Sequence, residues 1–313
     1  RQVVARYIDD PLLAEMIFCP LLFYGGARQH DMDFGQFTIM FRAIFLEGLA
    51  RPLAGVRLIL KKLVGKFKTL GGELRLRTGV DRITVKDGSV ETVVLEDGTA
   101  LRAKNVLSSA GWPETMRMCD DLNPVEEETN GIGELSFVES ISILDEQPRR
   151  LGCDRTIVFY NDSEKFEYVR PDDLVDVRSG VICSPNNFAY SEPLEEGVMR
   201  ITSLANYDRW AALDPEAYRL AKLRCYDRIV ESAVRFVPDF RRAVIATDTF
   251  TPTTIRRFTG RRNGAVYGTP DKRFDGRTHL DNLYICGTDQ GFVGIVGTIV
   301  SGIGIANQYL LRE

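Results

Sequence analysis

Histidine is scarce in this chain: only His30 and His279 occur in 313 residues. The six cysteines, Cys19, Cys119, Cys153, Cys183, Cys225 and Cys286, contain no C-x-x-C pair. Such scattered ligands argue against a zinc site, so no metal is expected, and the thiols read as buried and reduced, as in an intracellular protein. The shortage of imidazole also weakens Ser-His and Cys-His centres, which need a base beside the nucleophile. Chemistry here would lean on a bound cofactor. An excess of one charge is missing too: 40 Lys and Arg against 44 Asp and Glu leave a net charge of -4. No basic field gathers phosphates, and nucleic acid is not an expected partner. A leader segment and an initiator Met are absent, and the chain opens at Arg1 in a helical pattern, so a fragment of a longer protein is expected. What is present is ordinary for a globular protein, with 44% hydrophobic and 27% charged residues. That composition excludes disorder, collagen and small disulfide scaffolds.

Periodicity divides the chain. Apolar residues at helical spacing fill Val3 to Met16, interrupted by Pro11, then Phe34 to Leu46 up to Gly48, then Val56 to Phe67, with Pro52 suited to the first turn and Gly71-Gly72 as the stop. The period then changes to two over Glu73–Arg77, Val80–Lys86, Ser89–Glu96 and Thr99–Arg102, with turns at Asp87-Gly88 and Asp97-Gly98, which predicts an antiparallel meander. Asn105–Ser109 is a brief apolar strand followed by Ala110-Gly111-Trp112-Pro113 and a short helix. Strand-like runs recur at Glu134–Leu144, Thr156–Tyr160, Val181–Ser184, Val198–Leu204 and Ala243–Thr249, and Pro215 to Pro238 bounds a long helix. No internal repeat is visible, so the helical opening and the middle sheet are expected to fold together.

The most informative stretch is Asn282-Leu283-Tyr284-Ile285-Cys286-Gly287-Thr288-Asp289, then Gly291, then Gly294-Ile295-Val296-Gly297-Thr298 and an apolar helix to Leu311. It reads as strand, glycine-rich loop, helix. Glycines at a helix entrance let a ligand approach the backbone, and the unpaired first-turn N–H groups with the positive dipole end favour negative charge. Two plainer readings stand beside this one: a transmembrane span over Phe292–Leu310, against which Asn307, Gln308 and the glycines count, and a packed helix with no ligand.

These residues resemble the flavin-binding end of the phytoene desaturase, carotenoid isomerase and retinol saturase group, within the amine-oxidase-like flavoproteins. Thr251-Pro252-x-Thr254 with Gly264-Ala265-x-Tyr267-Gly268 resembles the segment preceding that end. Gly71-Gly72-Glu73-Leu74, Val80-x-x-Ile83, the two Asp-Gly turns, Ala103 and Ser109-Ala110-Gly111-Trp112-Pro113 resemble the group's central meander. The ordered set, from about Leu49 onward, is more specific than any piece. The resemblance implies an α/β (mixed α+β) chain: the C-terminal part of a FAD-binding Rossmann-like fold plus a substrate domain with a mixed sheet and helices. The division it suggests is 1–72 and 119–240 for the substrate domain, with 73–118 and 241–313 for the FAD domain.

The same resemblance implies roles. Val80 would bond the adenine through its backbone, Ala110 and Gly111 would pass near the dinucleotide, and Asp289 would accept a ribityl hydroxyl. Gly287 and Gly294 belong to the loop, and backbone N–H groups around Val296, Gly297 and Thr298 would face the flavin, where the helix dipole stabilises the reduced anion. For Asp289 alone, a helix-entry cap or turn acid is an equal reading. One departure is plain: the group's G-x-G-x-x-G between strand and helix is absent, and Gly25-Gly26 does not replace it. A preceding segment holding the pyrophosphate site is therefore expected.

The implied activity is FAD-dependent hydride transfer at C–C bonds of an isoprenoid, carotenoid or retinoid-like lipid, by desaturation, saturation or isomerisation, with an unnamed electron partner. Phe37, Met40, Phe41 and Phe45 would suit an apolar tunnel, though a core face explains them more simply. Lys61, Lys62, Lys66 and Lys68 suit an anionic membrane surface or, more simply, a solvated helix face. No acid-base residue stands out, and structural hydrogen bonds account for Tyr267 and Arg256 as well as chemistry does. Two other classes compete: a flavin oxidase of small amines, which needs an aromatic cage and a lysine near the flavin, and a flavin-free binding protein resembling the GDP dissociation inhibitors.

Overall fold

Caps and turns set most element boundaries. The structure, a computed structural model, describes residues 1–122 and 131–311. Helix α1 (Pro11–Gly25) begins where Asp10 accepts hydrogen bonds from the N–H groups of Leu12 and Leu13. Pro11 is thus the first helical residue, where its missing N–H is harmless, and not an interruption. Helix α2 (Phe34–Phe41) is capped by Asp33 and runs through a wider π-type turn, Arg42–Glu47, to Gly48 at φ 81°. Helix α3 spans Val56–Thr69, starting later than Pro52 suggests because Gly55, at φ 69°, precedes it.

The meander follows: β1 (Val80–Lys86), β2 (Ser89–Leu95) and β3 (Ala100–Leu101) form a three-stranded sheet. Both Asp87 and Gly88 have positive φ, 50° and 75°, the conformation a two-residue hairpin turn needs. Glu73–Arg77 does not join the sheet. Strand β4 (Val106–Ser108) leads into α4 (Trp112–Met118).

Strands β5 (Ser136–Leu144), β6 (Ile157–Asn161), β7 (Ser179–Cys183) and β8 (Gly197–Ala205) follow, then α5 (Tyr207–Ala211), α6 (Pro215–Ala233), β9 (Val244–Phe250) and α7 (Pro252–Thr259). The five strands form one sheet in the order β6-β7-β8-β5-β9. Two corrections arise here. The expected mixed sheet is antiparallel throughout. Strand β9 pairs with β5 along its length, so the sheet takes in residues that the division at 240/241 gave to the C-terminal segment. Period-two alternation locates a strand but not its partner, which explains both.

Alternation along these strands builds two cores. Val138, Ile182, Met199, Ile201 and Ala205 face Trp210, Phe240 and the buried side of α6. Phe137, Val181 and Leu204 face the other way, onto Phe18, Leu22 and Phe23 of α1. The opening helices and the middle sheet therefore fold together. Phe37, Met40 and Phe41 pack on the second core, and Phe45 is 45% exposed.

Strand β10 (Leu283–Ile285) pairs in parallel with β4, and α8 (Gly294–Ile305) closes the described chain with a π-type turn, Ala306–Leu310. Among the described residues no helix is long and apolar enough to cross a membrane.

Candidate active site

The glycine-rich loop leaves β10 at Gly287, φ 90°, passes a tight turn over Thr288–Gln290 to Gly291, φ 106°, and enters α8 through Gly294, φ 74°. Side chains with Cβ are disfavoured at all three positions. The Gly287 N–H donates to Ser301 Oγ at 2.5 Å, and Ser301 in turn hydrogen-bonds Gln290, which fixes the loop on α8. No side chain caps the first turn of α8. A Cβ at Gly294 would meet nothing within 4 Å, and one at Gly287 only Thr298 Cγ2 at 4.0 Å. Ile295 and Val296 are 47% and 71% exposed. The backbone at this helix entrance is therefore open to a flat or anionic group. Thr298 turns its hydroxyl inward to the Ile295 carbonyl at 3.0 Å, and Gly297 lies against Phe292, whose carbonyl carbon a Cβ would meet at 3.3 Å.

Asp289 is fully buried and holds the surroundings together. Its Oδ1 accepts from Thr269 N at 3.0 Å, and its Oδ2 from Trp112 N at 2.5 Å and Arg261 Nη1 at 2.8 Å. Three of a carboxylate's roughly four acceptor positions are thus filled from inside the protein. One position, on Oδ1, is left for a ribityl hydroxyl. Gly268, at φ 66°, passes so close that a Cβ would fall 1.8 Å from Asp289 Oδ1. Gly111, at φ 122°, leaves the room that Arg261 and Glu114 fill, since a Cβ would lie 2.4 Å from Arg261 Nη1 and 2.2 Å from Glu114 Oε2. That Glu114 oxygen is buried without a hydrogen-bond partner among the described residues, an acceptor available to a hydroxyl passing Gly111. Ala110 donates its N–H to Ser108 Oγ at 3.3 Å. Of the expected site residues, Ala110, Gly111, Gly287, Asp289, Gly294, Gly297 and Thr298 gather around the β4–β10 pair and the start of α8. Val80 lies on the neighbouring meander, 40% exposed.

Next to this loop lies a cavity of about 510 Å³. Its floor is a row of cross-strand neighbours, Val181, Thr202, Glu139 and Phe250, from β7, β8, β5 and β9. Phe23 and Tyr24 of α1, Ile255 and Phe258 of α7, and Tyr267 complete the walls. Tyr267 donates to the Phe23 carbonyl at 2.5 Å, and Arg256 bonds the Tyr207 hydroxyl, so both residues named in the sequence have structural partners. Lys272 donates to the Tyr267 carbonyl at 2.5 Å. Burial pushes its ammonium down to about 8, with Asp289 pulling the other way. Arg261, Glu114 and Lys272 escaped the sequence reading, because pairings between distant segments leave no periodic trace.

No family model matches the chain. In sequence it is similar to prolycopene isomerase of Daucus carota, 24% identical over 276 residues, 83% of this chain and 44% of that protein. It is also similar to prolycopene isomerase 2 of an Oncidium hybrid cultivar, 21% identical over 98% of this chain and 54% of that protein. A stretch of 110 residues, 35% of this chain, is 34% identical to 20% of a neurosporene-forming phytoene desaturase from Rhodobacter capsulatus. The curated relatives it matches are thus carotenoid isomerases and, over about a third of the chain, a carotenoid desaturase. The chain spans 44 to 54% of the length of the isomerases it matches. Its fold is shared with an oxidoreductase from Methanosarcina mazei, TM-score 0.65 at 13% identity over 98% of this chain and 67% of that one. A Pyrococcus furiosus protein matches with TM-score 0.60 at 11% identity, over 100% of this chain and 67% of that one. The mixture of helices and sheets expected from the sequence is the one observed.

Proposed function

We propose that this chain forms part of a FAD-dependent oxidoreductase that moves hydride at C–C bonds of a polyene or isoprenoid lipid, by desaturation, saturation or isomerisation. One observation carries the reading: a single short segment joins the two halves of such a site. Tyr267 forms a wall of the apolar cavity, and the next residue, Gly268, lies against Asp289 in the glycine-rich loop. A ligand in the cavity is thereby brought beside whatever the loop and the α8 entrance hold. When bound, the flavin supplies hydride acceptance and return.

The residues have distinct parts in this reading. Gly287, Gly294 and the first-turn backbone around Val296, Gly297 and Thr298 receive the isoalloxazine edge. Ala110 and Gly111 line the path of the dinucleotide, and Val80 meets the adenine. Asp289 acts as a positioning residue that ties α4, the Gly268 turn and the loop together. The cavity orients the lipid chain and excludes water from it. Helix α3 delivers the substrate: none of its residues is buried, Leu58, Leu60, Leu63 and Phe67 are 40 to 49% exposed, and it carries Arg57, Lys61, Lys62, Lys66 and Lys68 with no acid. A helix of that kind rests in the headgroup layer of an anionic membrane.

The amine-oxidase alternative asks for a lysine near the flavin. Lys272 is buried, but its ammonium is engaged by the Tyr267 carbonyl. The test is a titration of the protein with FAD, followed by flavin fluorescence quenching, and then single-turnover assays with polyenes and with small amines. Binding with polyene turnover supports the reading, and Gly297→Asp, which sets a bulky anion against Phe292 at the helix entrance, should abolish binding. Amine turnover alone, or no flavin binding by the full-length protein, would overturn it.

A further inference from the structure

On the N-terminal side of β10, the end opposite the glycine-rich loop, three side chains of metal-binding type converge. Cys119 follows the last turn of α4, Asp121 stands two residues on, and His279 precedes β10. The thiol sulfur, one carboxylate oxygen and one imidazole nitrogen all lie within 4.8 Å of one another. His279 Nε2 is 3.0 Å from Asp121 Oδ2 and 3.3 Å from Oδ1, and the Cys119 thiol donates to the Thr115 carbonyl at 3.5 Å. The backbone that carries these groups is fixed by other bonds. The Cys119 N–H donates to the Met116 carbonyl and the Asp120 N–H to the Ile83 carbonyl, both at 3.0 Å, while Asp120 Oδ1 accepts from Val85 N at 2.9 Å. On the other side, Thr278 Oγ1 accepts from Leu280 N and donates to the Leu283 carbonyl, and Asp281 N donates to the Gly88 carbonyl. Leu280 packs with Cys119, Ile83 and Met116 in one small core. Both segments are thereby anchored on the β1–β2 hairpin.

We infer that Cys119, Asp121 and His279 form a binding site for one zinc ion, with water at the fourth position. The donors select the metal: thiolate and imidazole together favour zinc over the oxygen-seeking magnesium and calcium, and zinc accepts a carboxylate oxygen beside them. One thiolate and one carboxylate balance the two positive charges, and a neutral imidazole completes the set. Zinc–ligand bonds of about 2.0 to 2.3 Å set the donors of a tetrahedral site roughly 3.3 to 3.6 Å apart. The His279–Asp121 edge is already close to that length. The sulfur edges, at most 4.8 Å, need to shorten by little more than about 1 Å, a side-chain movement. Binding releases the thiol proton to solvent and exchanges the Cys119–Thr115 and His279–Asp121 hydrogen bonds for three coordinate bonds. Cys119 is 3% exposed, whereas the side chains of Asp121 and His279 are 33% and 32% exposed, so the ion enters from the solvent side, where the water stays. Spacing along the chain could not show the site, since His279 is 158 residues from Asp121, and the expectation of no metal rested on spacing alone. The ion clasps the C-terminal end of α4 to the segment entering β10, while the Trp112 N–H at the start of that helix is held by Asp289. It is a structural tie and stands independently of the flavin reading.

The test is titration of the protein, first dialysed against a chelator, with Co2+ and then with Zn2+. One Co2+ per chain should bind with a thiolate charge-transfer band in the near ultraviolet and the intense visible bands of four-coordinate cobalt, and Zn2+ should bleach both. Cys119→Ser should remove the charge-transfer band. His279→Gln and Asp121→Asn should each weaken Zn2+ binding by at least about tenfold, the smallest effect expected even of partners outside the ligand set. Saturating Zn2+ should raise the Tm of the natural protein by a few degrees and leave that of His279→Gln unmoved at the same concentration. Near-ultraviolet circular dichroism checks folding, and the two partly exposed ligands carry the test if Cys119→Ser misfolds. Absence of a thiolate band, or Zn2+ affinity unchanged by His279→Gln and Asp121→Asn, overturns the inference and leaves the His279–Asp121 contact a plain hydrogen bond. A thiolate band that persists in a folded Cys119→Ser protein assigns the metal to another cysteine and overturns it as well.

Discussion

Helices α1 and α8 are both built almost wholly from apolar and small residues, yet they meet opposite surroundings. In α1 an unbroken run from Phe18 to Phe23 is buried against the five-stranded sheet. In α8 only Ser301 and Ile305 are buried, and Val296 and Ile303 are 71% and 56% exposed. The difference lies in glycine and in what faces the helix. Gly302 and Gly304, on nearly opposite sides of the helix, would each give a Cβ nothing to touch within 4 Å, so α8 is smooth and open there, whereas α1 interdigitates with Phe137, Phe166 and Tyr168. Apolar sequence alone therefore does not mark a core; complementary side chains on a second element do. Helix α3 makes the same point with charge added.

The largest test of this contrast is at Asp289, whose three hydrogen bonds hold the open region to the rest of the protein. Asp289→Ala would leave the Arg261 charge and the N–H groups of Trp112 and Thr269 without their acceptor, so a loss of about 3 to 5 kcal/mol is expected in urea denaturation. A loss below about 1 kcal/mol would mean that the carboxylate does not hold this region. Leu22→Ala in α1 should cost about 2 to 5 kcal/mol, while Val296→Ala in α8 should stay within about 0.5 kcal/mol. Equal losses would erase the distinction between the two helices.

Lys272 sharpens the contrast through pH. Its folded pKa of about 8 lies below the unfolded value of about 10.4. Between those values the unfolded chain binds more protons, so this group makes stability rise with pH across that window and adds nothing below it. The stability of the natural protein minus that of Lys272→Met should therefore climb by no more than about 3 kcal/mol from pH 8 to 10.5. A flat difference would show that the ammonium is not desolvated. The smallest effect on stability belongs to α3: Leu60→Ser with Leu63→Ser should move the denaturation midpoint by under about 0.5 kcal/mol per site. The same variant should lose most of its sedimentation with phosphatidylserine vesicles; unchanged sedimentation would return α3 to an ordinary solvated face.

Much of this architecture is legible in the residues. Asp87-Gly88 marks its hairpin because both positions need positive φ. The strands from Ser136 to Phe250 follow from alternation, and Pro215 and Pro238 bracket the long helix. Two prolines show the limit of local signals. Pro11 opens a helix because Asp10 caps it, whereas Pro52 precedes a helix delayed to Val56 by Gly55. The glycine-rich loop was visible from its spacing, and so was Gly268 within its motif. The carboxylate partners were not. Arg261 and Trp112 reach Asp289 from segments whose own patterns carry no hint of it, and the Glu139–Arg200 ion pair between β5 and β8 depends on a strand register that alternation leaves free.

The parallel pair of β4 and β10 has a consequence for how the chain reaches this form. Trp112 and Asp289, joined by a hydrogen bond beside that pair, are 177 residues apart in sequence. Closing so long a loop in an unfolded chain costs about 2 to 3 kcal/mol more than closing a ten-residue one, before any contact is gained. Antiparallel neighbours such as β6 and β7 meet over far shorter spans. On this count the hairpin-linked part of the five-stranded sheet is expected to assemble ahead of the clasp, its compaction shortening the distance that β10 must bridge, and pulse-labelled hydrogen exchange would check that order. In that order the glycine-rich loop, closed by the same clasp, is among the last parts of the chain to be made.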